Sequence, residues 1–264
     1  MSRLLVPACI LISAGALAVR GTAATPRFVG PFGTGADRVW LLLPRSHPRS
    51  IVVFLHGWKI APPSPDYPWV RQFWPWLIHL VDGGSAVVFP AYQLGGDGQG
   101  AARVTSLRHG LDTAFRRLPN CQSSVVAGYS YGASLAFYYA ASAHAWHLPQ
   151  PAAVDAVFPA GLVPGARLPA PPPAHVRALV QIGDRDSVAG RSGADQFLAW
   201  LARRPGGRQR LDLIRSSDGF AASHSAPKLS SPPARRAFWA PLDTLIATAR
   251  GTAAPSTCRR TSRV

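Results

Sequence analysis

Ten residues constrain this chain more than any other stretch: Val125-Val126-Ala127-Gly128-Tyr129-Ser130-Tyr131-Gly132-Ala133-Ser134. An apolar run leads into Gly-x-Ser-x-Gly, and small residues follow. The pattern predicts a buried strand, a sharp turn, and a helix packed close against the sheet. A serine at the tip of such a turn sits on strained backbone, so the residues two before and two after it must lack bulk. Gly128 and Gly132 meet that need. A hydroxyl held there stands near a helix N-terminus, where a histidine can take its proton. The competing reading is a glycine turn whose serine caps the next helix.

The rest of the chain alternates strands with helices around this turn. Strands are expected at residues 38–43, 51–55, 85–90, 153–158, 176–182 and 211–215, helices at 69–81, 99–118, 194–201 and 233–248. Residues 25–37 are rich in Gly and Pro and are expected to be irregular. Ile51-Val52-Val53-Phe54-Leu55 has no polar interruption, which marks a strand covered on both faces. Such runs separated by helices argue for one mostly parallel sheet of about eight strands with helices on both faces. Only about 17 residues, mostly Pro and Gly, separate the strands ending at Phe158 and starting at Val176, so a large lid has no room there.

A serine nucleophile needs a base, and His224 is the candidate. It lies in Phe220-Ala221-Ala222-Ser223-His224-Ser225-Ala226-Pro227, after the last strand and before the last helix, among residues too small to cover a core face. His79, His109 and His144 fall on helices, His47, His147 and His175 beside prolines, and His56 at a strand end. The group that orients the imidazole can only be an aspartate, because all 12 acidic residues are Asp. Gly183-Asp184-Arg185-Asp186 offers two. Asp186 is far enough along the turn to point back over the sheet, while Asp184 suits a bond to Arg185 or a cap; Asp155, inside a strand, is the outside candidate. Two backbone donors complete an oxyanion hole: the N–H of Tyr131, after the serine, and that of Trp58, in Leu55-His56-Gly57-Trp58. The aromatic rings of Trp58, Tyr92, Tyr129 and Tyr131 are either acyl-pocket walls or core.

Over about residues 38 to 250 these features resemble the α/β-hydrolase superfamily. Gly128-Tyr129-Ser130-Tyr131-Gly132 matches its nucleophile elbow and His56-Gly57-Trp58 its oxyanion motif, with Asp186 and His224 where its acid and base fall. The strand end Val87-Val88-Phe89-Pro90-Ala91-Tyr92-Gln93 looks like that of bacterial esterase- or lipase-like members. The resemblance implies an eight-stranded α/β-hydrolase fold with minimal lid and cleavage of small-molecule or lipid esters through an acyl-enzyme. An acyltransferase or peptidase with the same residues, or a non-catalytic binding protein on this fold, are the alternatives.

Composition narrows the rest. The absence of Glu excludes the H-E-x-x-H zinc hydrolases, and no metal-ligand spacing or dinucleotide fingerprint occurs, so neither metal nor cofactor is expected. Gly95-Gly96-Asp97-Gly98 lacks the Lys of a phosphate-binding loop. The formal net charge is +16, yet the basic residues are almost all Arg and scattered, which argues for attraction to anionic surfaces and against specific nucleic-acid binding. Leu4 to Val19 is an apolar run after Arg3, with small residues to Ala24; it reads as a secretory signal over residues 1–24, cleaved between Ala18 and Ala24, ahead of one domain at 25–252 and a flexible tail at 253–264. An uncleaved anchor is the alternative. Export to the cell envelope or beyond would leave Cys121 and Cys258 as a possible bridge, with Cys9 removed.

Overall fold

A computed structural model describes residues 26–59, 68–94, 100–118 and 123–252. The signal region, all three cysteines, the Gly95–Gly98 loop and the tail lie outside the described residues.

Eight strands form one sheet: β1 (Arg27–Phe32), β2 (Val39–Leu43), β3 (Ser50–Leu55), β4 (Ser85–Pro90), β5 (Ser124–Tyr129), β6 (Ala153–Val157), β7 (Arg177–Gly183) and β8 (Gln209–Ile214). Their spatial order is β1-β2-β4-β3-β5-β6-β7-β8. The β1–β2 and β2–β4 pairs are antiparallel and every later pair is parallel. The apolar runs are divided by the alternation of side chains along each strand. Ile51, Val53 and Leu55 face one core, with Val126, Val154 and Val180. Val52 and Phe54 face the other, with Val125 and Ala127.

Helices cover both faces. The first core is closed by α3 (Gly100–Phe115), α4 (Tyr131–Ser142) and α5 (Ser192–Leu201). Four residues of α3, Arg103, Leu107, Leu111 and Ala114, recur at the spacing of one helical face and are buried. On the opposite face lie α1 (Pro68–Arg71), α2 (Trp74–Asp82) and, near the C-terminus, α6 (Pro232–Ala234) and α7 (Ala240–Thr252), joined by a π turn at Arg235–Trp239. Phe54 anchors this side: Phe73, Trp76 and Phe89 surround it with ring centroids 5.0, 5.2 and 6.2 Å away. A fully buried side chain of this size contributes roughly 1.5–3 kcal/mol of transfer free energy.

Two local expectations fail. Residues 27–32 are not irregular but form β1, an edge strand whose side chains are mostly exposed. Backbone pairing to β2 holds it, so its side chains carry little apolar signal. The single helix expected over 69–81 is two helices broken at Gln72-Phe73, because Pro75 sits at the start of α2 and removes a donor that a continuous helix would use. Between β6 and β7 the described residues contain no helix, in line with the minimal lid.

Candidate active site

The parallel strands all end at one edge of the sheet, and the candidate residues gather in the loops that leave it. Ser130 follows β5 directly and has φ 57° and ψ −121°, a conformation that costs a non-glycine residue roughly 1–3 kcal/mol. Hydrogen bonds hold it there. Its N–H donates to Val157 O at 2.8 Å, and its own carbonyl accepts from Ala133 N at 3.0 Å and Ala160 N at 3.3 Å. The flanking glycines are required by close approach. A Cβ on Gly128 would lie 2.3 Å from Gly132 O, and one on Gly132 would lie 2.3 Å from both Leu55 O and His56 O. The elbow is therefore pressed against the end of β3.

His224 arrives from the loop after β8. Its Nδ1 donates to Asp186 Oδ2 at 3.0 Å, which leaves Nε2 to accept from the Ser130 hydroxyl at 2.9 Å. Asp186 has no side-chain exposure, and its other oxygen accepts from Val188 N at 2.9 Å and Ala189 N at 3.1 Å. Both carboxylate oxygens are thus engaged, and the one facing His224 is fixed in place. Ser130, His224 and Asp186 are brought into one continuous chain of hydrogen bonds. Asp184 is not part of it. It neither pairs with Arg185 nor caps its own turn: it is exposed and accepts from Ser216 N at 2.9 Å and Ser216 Oγ at 2.6 Å, a tie that pulls its carboxylate below the usual range. Asp155, buried in β6, makes no hydrogen bond to that chain.

The backbone N–H groups of Trp58 and Tyr131 donate to no backbone carbonyl among the described residues. Gly57, which precedes Trp58, is a near neighbour of Ser130: a Cβ placed on it would lie 3.2 Å from Ser130 Cβ. Trp58 thus follows a residue that abuts Ser130, and Tyr131 follows Ser130 itself in the chain. The aromatic candidates separate cleanly. Tyr92 is fully buried, stacks 4.3 Å from His56 and donates its hydroxyl to His56 O, so it is core. Trp58 alone of the four is exposed, at 43%, edge-on to Tyr131 at 5.3 Å with the Arg103 guanidinium 3.9 Å over its ring. His56 is structural. Both its nitrogens lie against carbonyls, Gly57 O at 2.6 Å and Ala91 O at 3.0 Å, and burial lowers its pKa to about 3, so it stays neutral.

Two supports escaped the sequence. The Tyr129 hydroxyl donates to His224 O at 2.7 Å, and the Tyr129 ring lies 5.0 Å from the imidazole. Phe158, at φ 56°, packs 6.0 Å from the imidazole on another side. Tyr129 stands inside the elbow pentapeptide, a signal that could have drawn attention to it; Phe158 carries none. No group of three or more metal-binding side chains occurs among the described residues. A groove of about 450 Å³ lies at the opposite ends of the strands, where Arg177, Arg208, Arg210 and Arg236 line it, and does not touch the site.

No protein-family model matches the sequence, and no curated protein matches it. Solved structures do. Esterase B from Lactobacillus rhamnosis, inhibited with a tributyrin phosphonate, is similar with a TM-score of 0.62 at 14% identity over 86% of each chain. Esterase 2 from Thermogutta terrifontis, phosphorylated by paraoxon, is similar with a TM-score of 0.63 at 16% identity, over 91% of this chain and 100% of that one. A putative dienelactone hydrolase from Klebsiella pneumoniae has a TM-score of 0.56 at 13% identity, over 80% of this chain and 92% of its own. Together with the strand order, these likenesses establish the α/β-hydrolase fold.

Proposed function

We propose that this protein is a serine hydrolase that cleaves carboxylic esters through an acyl-enzyme. The observation that carries the reading is the unbroken chain Asp186–His224–Ser130, with contacts of 3.0 and 2.9 Å, ending on a serine in strained backbone. Its structural neighbours named as esterases support it. Ser130 Oγ attacks the ester carbonyl carbon as its proton passes to His224 Nε2. Asp186 accepts the other imidazole N–H and stabilises the imidazolium. The N–H groups of Trp58 and Tyr131 receive the oxyanion. Collapse breaks the carbon–oxygen bond, and the leaving alkoxide takes the proton from Nε2. Water then attacks the acyl carbon, giving a proton to Nε2; the acid departs, and Ser130 Oγ recovers that proton.

The test is hydrolysis of p-nitrophenyl esters from acetyl to palmitoyl by wild type and by Ser130→Ala. The expected result is turnover that falls by about 10⁴-fold or more in the variant. Folded wild type that neither turns over any ester nor is labelled by a fluorophosphonate would overturn the reading in favour of a binding protein. Residues 1–24 are part of the proposal as an export signal: N-terminal sequencing of exported protein should begin between Ala18 and Ala24.

A further inference from the structure

Lysine is scarce in this chain. Of 28 basic residues only Lys59 and Lys228 are lysine, and both lie on loops that supply residues of the candidate site. Lys59 comes from the loop that holds the Trp58 donor, two residues past the Gly57 that abuts Ser130. Its ammonium donates to Gln72 Oε1 at 2.5 Å. Lys228 comes from the loop that holds the base, at the end of the 3₁₀ turn Ala226–Lys228. Its Nζ stands 5.4 Å from the centroid of the Tyr129 ring, the same ring that packs 5.0 Å from His224. The loop of an oxyanion donor and the loop of the base therefore each carry one ammonium, and Gln72, which holds Lys59, adjoins Phe73, whose ring packs 5.5 Å from the Tyr129 ring beside Lys228.

The two charges sense each other. Burial lowers the pKa of Lys59, and the charge of Lys228 lowers it further, to about 8; burial lowers Lys228 as well. Like charges held together and partly desolvated are unfavourable unless an anion joins them. Among the described residues neither ammonium forms an ion pair: the salt bridges involve other cations. A purely structural lysine pair would be expected to bracket a carboxylate of the protein itself. Lysine also suits a mobile monovalent partner, since its compact ammonium on a flexible stem can follow one oxygen, where arginine favours a fixed bidentate fork.

We propose that Lys59 and Lys228 form an anion subsite, and that the preferred substrates are esters bearing a free carboxylate on the acyl chain, such as hemiesters of dicarboxylic acids. This rests on the ester-hydrolase reading and extends it to a substrate class. The carboxylate accepts charge-assisted hydrogen bonds from the two ammonium groups and relieves their mutual repulsion. Its hold on the far end of the acyl chain steers the carbonyl toward Ser130.

The experiment compares kcat/KM for p-nitrophenyl valerate and mono-p-nitrophenyl glutarate, which share a leaving group and chain length and differ in the terminal carboxylate. Measurements at pH 7 keep both ammonium groups charged. Wild type should favour the glutarate ester, and the anionic-to-neutral ratio should fall about tenfold in Lys59→Gln or Lys228→Gln, mainly through KM. Lys59→Arg and Lys228→Arg should restore part of the preference. Raising salt from low to physiological strength should also lower the wild-type ratio, a readout that needs no variant. A wild-type ratio at or below one, or a ratio indifferent to both salt and the Gln variants, overturns the proposal and leaves the hydrolase reading standing. Turnover of neither ester above the Ser130→Ala level overturns both.

Discussion

Tyr129 is held on several sides: Phe73 packs 5.5 Å from its ring, His224 5.0 Å away, and its hydroxyl donates to the His224 carbonyl. Burial pushes the phenol well above its ordinary pKa, so it remains a donor at any working pH. The bond ties the loop of the base to the strand of the nucleophile. Tyr129→Phe keeps the ring and removes only that tie; kcat for ester hydrolysis should fall several-fold with little change in KM, and stability by about 1 kcal/mol in urea denaturation. The two aspartates of the β7 turn should part sharply in the same assay. Asp186→Asn should lower kcat by on the order of 10⁴-fold, because an amide cannot hold the required tautomer, whereas Asp184→Asn should change it less than threefold. At this scale the sequence could place Ser130, His224 and Asp186 by their positions after strands. It could not reveal that Ser216 claims Asp184, because that bond joins turns 32 residues apart and neither residue type is unusual there. Nor could it choose between wall and core for Tyr92, since an aromatic ring satisfies both roles until its neighbours are known.

Among the elements, the unit formed by β5, the Ser130 turn and α4 is the most tightly determined, because its backbone touches β3. Gly132→Ala would drive a methyl group to 2.3 Å from two carbonyl oxygens at the end of β3. The expected cost is on the order of 3 kcal/mol, visible as a lower urea midpoint, with activity reduced further because the strand end that carries Gly57 must shift. The central strands were readable because burial on both faces demands unbroken apolar runs, and β4 runs from Ser85 to Pro90 as expected. The edges were less so. β1 is held by main-chain pairing, which leaves little apolar signal, and the break between α1 and α2 rests on one residue, Pro75, within an otherwise helical apolar stretch. Helix α3 begins at Gly100, one residue from expectation, and ends at Phe115, three residues short of it; its signal was the helical spacing of Val104, Leu107, Leu111 and Phe115.

In the molecule as a whole, one charge sits apart from all of this chemistry. Asp155 is fully buried on the α7 side of the sheet, neither oxygen has a hydrogen-bond partner among the described residues, and burial raises its pKa to about 8. A carboxyl group whose pKa is higher folded than unfolded binds its proton more tightly in the native state. Its contribution is therefore complete below about pH 4 and is lost as pH rises toward 8. Asp155→Asn should remove that slope and raise stability at pH 8 by on the order of 2 kcal/mol, with much less gain at pH 5, as read from thermal melts at the two values. The architecture itself was legible because alternating strands and helices leave few topologies; the partition into two cores was legible only as a consequence of pleating. That architecture also sets when the site comes into being. The residues that must meet are 94 and 38 positions apart along the chain, joined through parallel crossovers rather than hairpins. Such long closures make refolding slow. On dilution from urea, far-UV circular dichroism should recover first and ester hydrolysis last, so that catalytic competence times the docking of β7 and β8, and a chain ending before β7 should be inert however much helix it regains.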